Sequence, residues 1–128
     1  MQQNLLDTHA LIWFISGSKE LSQAAQSSIE ADDANNFVSI ANLWEIAIKI
    51  SLGKLELKTP FKEIGRQISE NGFEILPVTF EDTLTVSTLP FLHRDPFDRI
   101  IIAQAITNGL TIISKDQNFS SYSVNVIW

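Results

Sequence analysis

The sequence predicts an α/β protein, a three-layer sandwich with a central parallel sheet of four to five strands flanked by helices. Two patterns point there. Short apolar runs of strand length alternate with helical stretches along the chain, which is how a parallel sheet covered on both faces is built. The helical stretches beside the runs are apolar around much of their circumference: Leu11, Ile12, Phe14 and Ile15 in the first, Ile100 to Ala105 in the last. Solvated helices do not look like this.

Asn4-Leu5-Leu6 reads as a strand stopped by Asp7, and Thr8 to Ile15 as a buried helix broken at Gly17-Ser18. Leu21 to Ala31 is a second, more polar helix. Asn35-Asn36 reads as a turn before a strand at Phe37 to Ile40, followed by a helix from Asn42 to Leu52 with Leu43, Ile46, Ala47 and Ile50 toward the core. Gly53 closes it in the left-handed conformation. Thr59-Pro60 is expected to cap a helix over Phe61 to Glu70, with Phe61, Ile64 and Ile68 inward, and Asn71-Gly72 turns the chain into a strand at Phe73 to Val78. Thr79 and Asp82 have the spacing of a capping box opening a helix to about Leu89. Asp95-Pro96 reads as N-cap and first residue of the last helix, closed at Asn108-Gly109, with strands at Leu110 to Ile113 and, at an edge, Val124 to Ile127.

The 128 residues make a single domain, 1–128, with 45% hydrophobic and 19% charged residues, ordinary globular usage. No apolar run approaches the ~20 residues of a membrane span. The N-terminus lacks the basic patch of a signal peptide, so a cytoplasmic protein is expected. There is no cysteine and two histidines leave little for a zinc site, so any metal must be held by oxygen, which points to Mg2+ or Mn2+. Fifteen acids against nine bases give a net charge of −6 and argue against binding nucleic acid through bulk positive charge. Lys49, Lys54, Lys58, Lys62 and Arg66 nevertheless put five of the nine bases in one short stretch.

The stretch Phe91 to Ala105 organises the chain, placing two carboxylates and two arginines at the mouth of an apolar helix. In parallel sheets, ligands bind beyond the carboxyl ends of the strands. Asp7 and Asp116 are expected at two of those ends, Glu45 in the first turn of the helix after the second strand, and Asp98 at the start of the helix before the fourth. Taken singly, each acid is explained as a cap or a solvated charge. Four of them converging from four separate segments on the ligand-binding edge predict a metal site.

Leu5-Leu6-Asp7-Thr8-His9, Leu43-Trp44-Glu45-Ile46 with Gly53-Lys54-Leu55, His93-Arg94-Asp95-Pro96-Phe97-Asp98-Arg99, and Ser114-Lys115-Asp116 with Phe119 and Tyr122 together resemble the PIN domain. More narrowly they resemble its VapC-type toxins of bacterial toxin–antitoxin pairs. The resemblance spans the chain, with Ser114 standing where the family often has threonine. It implies a PIN-like fold and an endoribonuclease that cuts RNA phosphodiesters with Mg2+ or Mn2+. Asp7, Glu45, Asp98 and Asp116 match the family's acidic quartet. A homodimer is implied too, as is a VapB-type antitoxin whose C-terminal segment lies across the acidic groove.

On this reading Asp7 and Asp98 hold the ion directly, while Glu45 and Asp116 act through water, orient the nucleophile or hold a second ion. Thr8 and Ser114 support them with hydroxyls or simply bond at strand ends. Arg94 and Arg99 hold phosphate or pair with neighbouring acids. Asp95 is a cap, His93 a hydrogen-bonded loop residue, Trp13 and Trp44 core or interface residues, and Lys58, Lys62 and Arg66 a solvated face. A PIN-like nuclease acting on DNA or structured nucleic acid, outside a toxin–antitoxin pair, is the alternative. A receiver-like signalling domain would need an aspartate closing its middle strand, where this chain has Leu76-Pro77-Val78-Thr79. A silent binding module on the same fold would lack an acid, and none is missing.

Overall fold

A computed structural model describes residues 2–128. In chain order the elements are β1 (Gln3–Leu6), α1 (Thr8–Ser16), α2 (Gln23–Glu30), β2 (Asn35–Ser39), α3 (Ile40–Ser51), α4 (Phe61–Glu70), β3 (Glu74–Leu76), α5 (Phe80–Thr88), α6 (Pro96–Asn108), β4 (Thr111–Ile113), a 3-10 turn (Gln117–Ser121) and β5 (Val126–Ile127). The five strands form one sheet in the order β3-β2-β1-β4-β5, every neighbouring pair parallel. The chain steps outward from β1 to β2 and β3, then returns to the other side of β1 for β4. The order therefore reverses between β1 and β4, where open α/β sheets leave a crevice.

Alternation along the strands supplies the two cores. Leu6, Val38 and Ile113 face Ala10, Leu11, Ile29, Ile46, Ile64 and Ile68 on one side. Leu5 and Ile112 face Ile101, Ile102, Ala105, Phe119 and Tyr122 on the other. At roughly 1.5–3 kcal/mol for each fully buried aliphatic or aromatic side chain, these two clusters are the main stabilising term. Thr79 and Asp82 form the expected capping box, with Thr79 Oγ1 accepting from the Asp82 N–H and Asp82 accepting from the Thr79 N–H. Asp95 caps α6 by accepting from the Phe97 and Asp98 amides, Pro96 opens the helix, and Gly109 ends it at φ 65°.

Several expectations are corrected. Asn35 and Asn36 belong to β2. Asn36 is buried, accepts from Asn4 Nδ2 at 2.9 Å and donates to the Ile29 carbonyl at 2.9 Å, so both its polar atoms are satisfied inside the sheet. The strand stops at Ser39, whose hydroxyl caps α3 through the Ala41 amide, so this helix starts two residues before Asn42. Thr59 does not cap α4: the cap position is Pro60, with no side-chain bond. Ile64 and Ile68 are buried as expected, while Phe61 and Ile50 stand on the surface. No helix among the described residues is long and apolar enough to cross a membrane.

Replacing Asn36 with leucine keeps the branched shape but removes one acceptor from Asn4 Nδ2, which keeps the Ser28 carbonyl, and the side-chain donor to the Ile29 carbonyl. The loss is expected to be about 1–3 kcal/mol in urea unfolding. An unchanged midpoint would mean water satisfies both groups.

Candidate active site

The carboxyl ends of β1 and β4 meet at the switch point. Asp7 follows β1 and caps α1, accepting from the Ala10 amide at 2.8 Å through Oδ1. Its other oxygen accepts a short hydrogen bond from the Ser114 hydroxyl, just past β4. Ser114 Oγ in turn accepts from the Asp116 amide at 3.0 Å. One hydroxyl thus ties the first strand's carboxylate to the loop that carries Asp116. The Asp116 side chain caps the 3-10 turn that follows, accepting from the Asn118 amide at 2.9 Å.

The other wall comes from α3 and α6. Asn42 donates to the Leu6 carbonyl at 2.8 Å and fixes α3 against the end of β1, one residue before Asp7. Glu45, buried in the second turn of α3 rather than its first, accepts from the Thr8 hydroxyl at 2.6 Å and pairs with Lys49 Nζ at 2.9 Å. Asp98, in the first turn of α6, shares a 2.6 Å hydrogen bond with His93 Nε2. A ligand atom from each of His93, Asp98 and Asp116 lies within 4.8 Å of the other two. The expected quartet is therefore knitted into three units: Asp7 with Ser114 and Asp116, Glu45 with Thr8 and Lys49, and Asp98 with His93.

Electrostatics follow from this crowding. Burial raises the Asp7 pKa above the usual carboxylate value, against the lowering effect of the Ser114 and Ala10 hydrogen bonds. Burial also pushes Asp98 up to about 6, with Asp95 and Glu45 adding to the rise and His93 opposing it. Lys49 is raised, first by its bond to Glu45 and then by the nearby charges of Glu45, Asp95 and Asp98. Two partly buried acids that resist ionisation are what an oxygen-ligated cation would relieve.

Arg99 departs from its expected use as a phosphate ligand. Arg99 is buried inside the fold, donating to the carbonyls of Pro90 and Val86 and to the Tyr122 hydroxyl, with its guanidinium 4.7 Å from the centre of the Phe91 ring. It braces the loop before α6 and is not free to hold phosphate. Arg94 is exposed and lines a separate hollow with Phe91 and Pro96. Trp44 is 64% exposed, with its ring edge-on to Phe97 at 5.4 Å, so of the two expected roles, core or interface, its position fits the second. Sequence reasoning grouped Lys49 with the surface bases. Its position four residues after Glu45 on one helix was the available signal. His93 is the hydrogen-bonded loop residue expected from sequence, and its partner is Asp98, five positions on across the helix start.

A five-stranded parallel sandwich with carboxylates gathered at its switch point defines the class: an α/β domain with an acidic centre at the sheet edge. The family model of the PIN domain matches residues 5–125, and the chain belongs to the PIN domain family. It is 29% identical over 119 residues to Ribonuclease VapC22 of Mycobacterium tuberculosis (strain ATCC 25618 / H37Rv), covering 92% of this chain and 90% of that one. Among solved structures, the fold is similar to that of VapBC2 from Rickettsia felis bound to a promoter DNA fragment, with TM-score 0.71, 16% identity, and 98% and 97% of the two chains covered. It is also similar to a toxin–antitoxin complex from Klebsiella pneumoniae, with TM-score 0.66, 20% identity, and 98% and 96% covered. At these identities the two structures speak for the fold alone.

The raised Asp98 pKa sets a sign for stability against pH. The folded state holds the proton more tightly than the unfolded chain. This group's contribution is therefore complete below about pH 4 and lost as pH rises through about 6. In EDTA, wild type should lose stability relative to Asp98→Asn between pH 4 and pH 7, by on the order of 2–3 kcal/mol. Parallel stability curves for the two proteins would show that Asp98 titrates normally.

Proposed function

We propose that this protein is a metal-dependent endoribonuclease and the toxin of a toxin–antitoxin pair, with Asp7, Glu45, Asp98 and Asp116 as its acidic quartet. The observation that carries the reading is the gathering of Asp98 and Asp116, with His93, within ligand distance at the edge where Asp7 and Glu45 also lie. The similarity to a ribonuclease over most of both chains supports the same activity.

The donor set, carboxylate oxygens with the His93 imidazole beside them, fits Mn2+, and it fits Mg2+ through the carboxylates alone, since magnesium needs only one or two of them directly. Asp7 and Asp98 are assigned to hold the ion, and Glu45 and Asp116 to hold its water or a second ion. The chemistry a divalent cation would supply there is charge neutralisation at the phosphate and a lowered pKa for water. The chain's own residues set the geometry. Ser114 holds the Asp7 carboxylate in one orientation while Ala10 occupies its other oxygen. Thr8 aims Glu45, and Lys49 balances its charge. His93 steadies Asp98 and keeps the carboxylate from turning into solvent.

The protein partner on this reading is a small VapB-type antitoxin that presents an arginine or lysine to the quartet, where a cation stands in for the metal. A homodimer is supported by an apolar groove of about 530 Å3 between α3 and α6, lined by Ile40, Ala41, Trp44, Val78, Phe97 and Ile100 among others. Exposed apolar surface of this kind is a usual sign of a protein contact.

Matched RNA and DNA oligonucleotides, incubated with Mg2+ or Mn2+ and then with EDTA, test the activity. RNA should be cut only with metal, and Asp7→Asn or Asp98→Asn should slow cleavage at least ~10²-fold. Asp95→Asn should lose less than about tenfold, since Asp95 is a cap. Preferential cutting of DNA would replace the ribonuclease reading. For assembly, Trp44→Lys should elute as a monomer in size-exclusion chromatography where the wild type elutes as a dimer. Identical elution would place the contact elsewhere.

A further inference from the structure

Beside the acids, on the β4 side of the edge, the surface is hollowed to about 260 Å3 between Asp7, His9, Trp13, Lys115 and Asp116. Aromatic rings and a cation meet the acids here. His9 is exposed on the first turn of α1, and its ring centre lies 5.5 Å from that of Trp13, one turn further on, with the planes 37° apart. Trp13 is half-buried and packs in turn against Trp128 at 5.7 Å. The Lys115 ammonium sits 5.8 Å from the centre of the Trp13 ring, and its exposed head reaches Glu20 at 3.3 Å.

We infer that this hollow is a nucleobase subsite, in which an unpaired base next to the phosphate at the acidic centre stacks on the His9–Trp13 pair. The inference rests on the ribonuclease reading above and names the part of the substrate that the site would take. Asp7 and Asp116 belong both to the acidic centre and to the rim of the hollow. A phosphate held at those acids therefore puts its neighbouring nucleotide over the rings. The spacing of His9 and Trp13, four residues apart on a helix capped by Asp7 itself, fixes both rings relative to that carboxylate.

Size and chemistry agree. The hollow is smaller than the roughly 300–1,000 Å3 of whole small-molecule sites and is sized for one ring system. Any base offers a π-face, so stacking needs no particular sequence, but it does need a base free of its duplex partner. A chain of net charge −6 gains little from counterion release, so a neutral stacking contact is a physically accessible route to holding a polyanion at an acidic edge. Lys115 supplies a local cation for the phosphate beyond the stacked base, exchanging its exposed pairing with Glu20.

The test uses single-stranded RNA carrying one 2-aminopurine, titrated with the slow-cutting Asp98→Asn protein in Mg2+. The same substitutions are then placed in the wild type for cleavage kinetics. His9→Ala and Trp13→Leu should each weaken binding at least ~5-fold and remove the quenching of 2-aminopurine that stacking produces. In cleavage they should raise KM with kcat little changed. His9→Phe, which keeps a ring and loses the imidazole, should restore both. His9 is exposed, so its variants test the idea even if Trp13→Leu proves unstable by melting temperature. Unchanged affinity and quenching in folded His9→Ala would overturn the subsite, as would an equal loss of affinity for duplex RNA. Weakened capture of an antitoxin peptide with RNA binding intact would assign the hollow to the peptide instead. Failure of the wild type to cut RNA with either metal would remove the nuclease reading, and the binding titration would still decide the hollow.

Discussion

The structure depends on holding like charges together at the mouth of a hydrophobic sheet. Asp7 carries most of that constraint. It ends β1, caps α1 and accepts from Ser114 beyond β4, so one carboxylate joins two strands and a helix at the switch point. Two carboxylates about 5 Å apart repel by roughly 3 kcal/mol at an effective dielectric of 20. Against a total stability of about 5–15 kcal/mol, several such pairs could not be left unbalanced.

The balance is local, with a separate partner for each acid. Glu45 has a hydroxyl and an ammonium, Asp98 an imidazole, Asp7 a hydroxyl and a backbone amide, and Asp116 the amide of its own following turn. These bonds come from residues within five positions of the acids, except for Ser114 on Asp7 and Thr8 on Glu45. Those two long-range hydroxyls stitch β4 to β1 and α1 to α3. Burial still wins at Asp7 and Asp98, whose raised pKa values show that hydrogen bonding compensates only part of the lost solvation. On the proposed function, a bound cation would relieve part of what remains.

Much of this was legible because it rests on local rules. A short apolar run followed by an acid and a helix marks a strand feeding the ligand edge, and Asp95-Pro96 and Thr79 with Asp82 declare their caps outright. What was not legible depends on partners distant in sequence. Asn36 looks like a turn residue until Asn4 and the Ile29 carbonyl arrive to satisfy it inside a strand. Arg99 looks like a phosphate ligand until Pro90, Val86 and Tyr122 enclose it. The 3-10 turn at Gln117–Ser121 has no apolar periodicity to announce it, and it exists because Asp116 caps it and Phe119 is buried beneath. Glu45 lies one turn deeper than its sequence position suggests, since a helix start set by Ser39 moves it into the second turn.

The surroundings of the acids also divide the edge into two unlike sides. Glu45 and Asp98 are each preceded in sequence by an aromatic residue, Trp44 and Phe97, and these two rings meet edge-on at 5.4 Å outside the fold. The apolar groove therefore begins one residue from two of the four carboxylates. Asp7 and Asp116 instead border the hollow with His9, Trp13 and Lys115. A protein surface that buries Trp44 and Phe97 excludes water along one wall of the acidic centre and strengthens every charge interaction there. The other wall keeps rings and an ammonium open to solvent. On the proposed dimer, the substrate strand then has one side by which to enter, over β4 and the start of α1, and assembly at the apolar face would set both the dielectric of the site and the direction of approach.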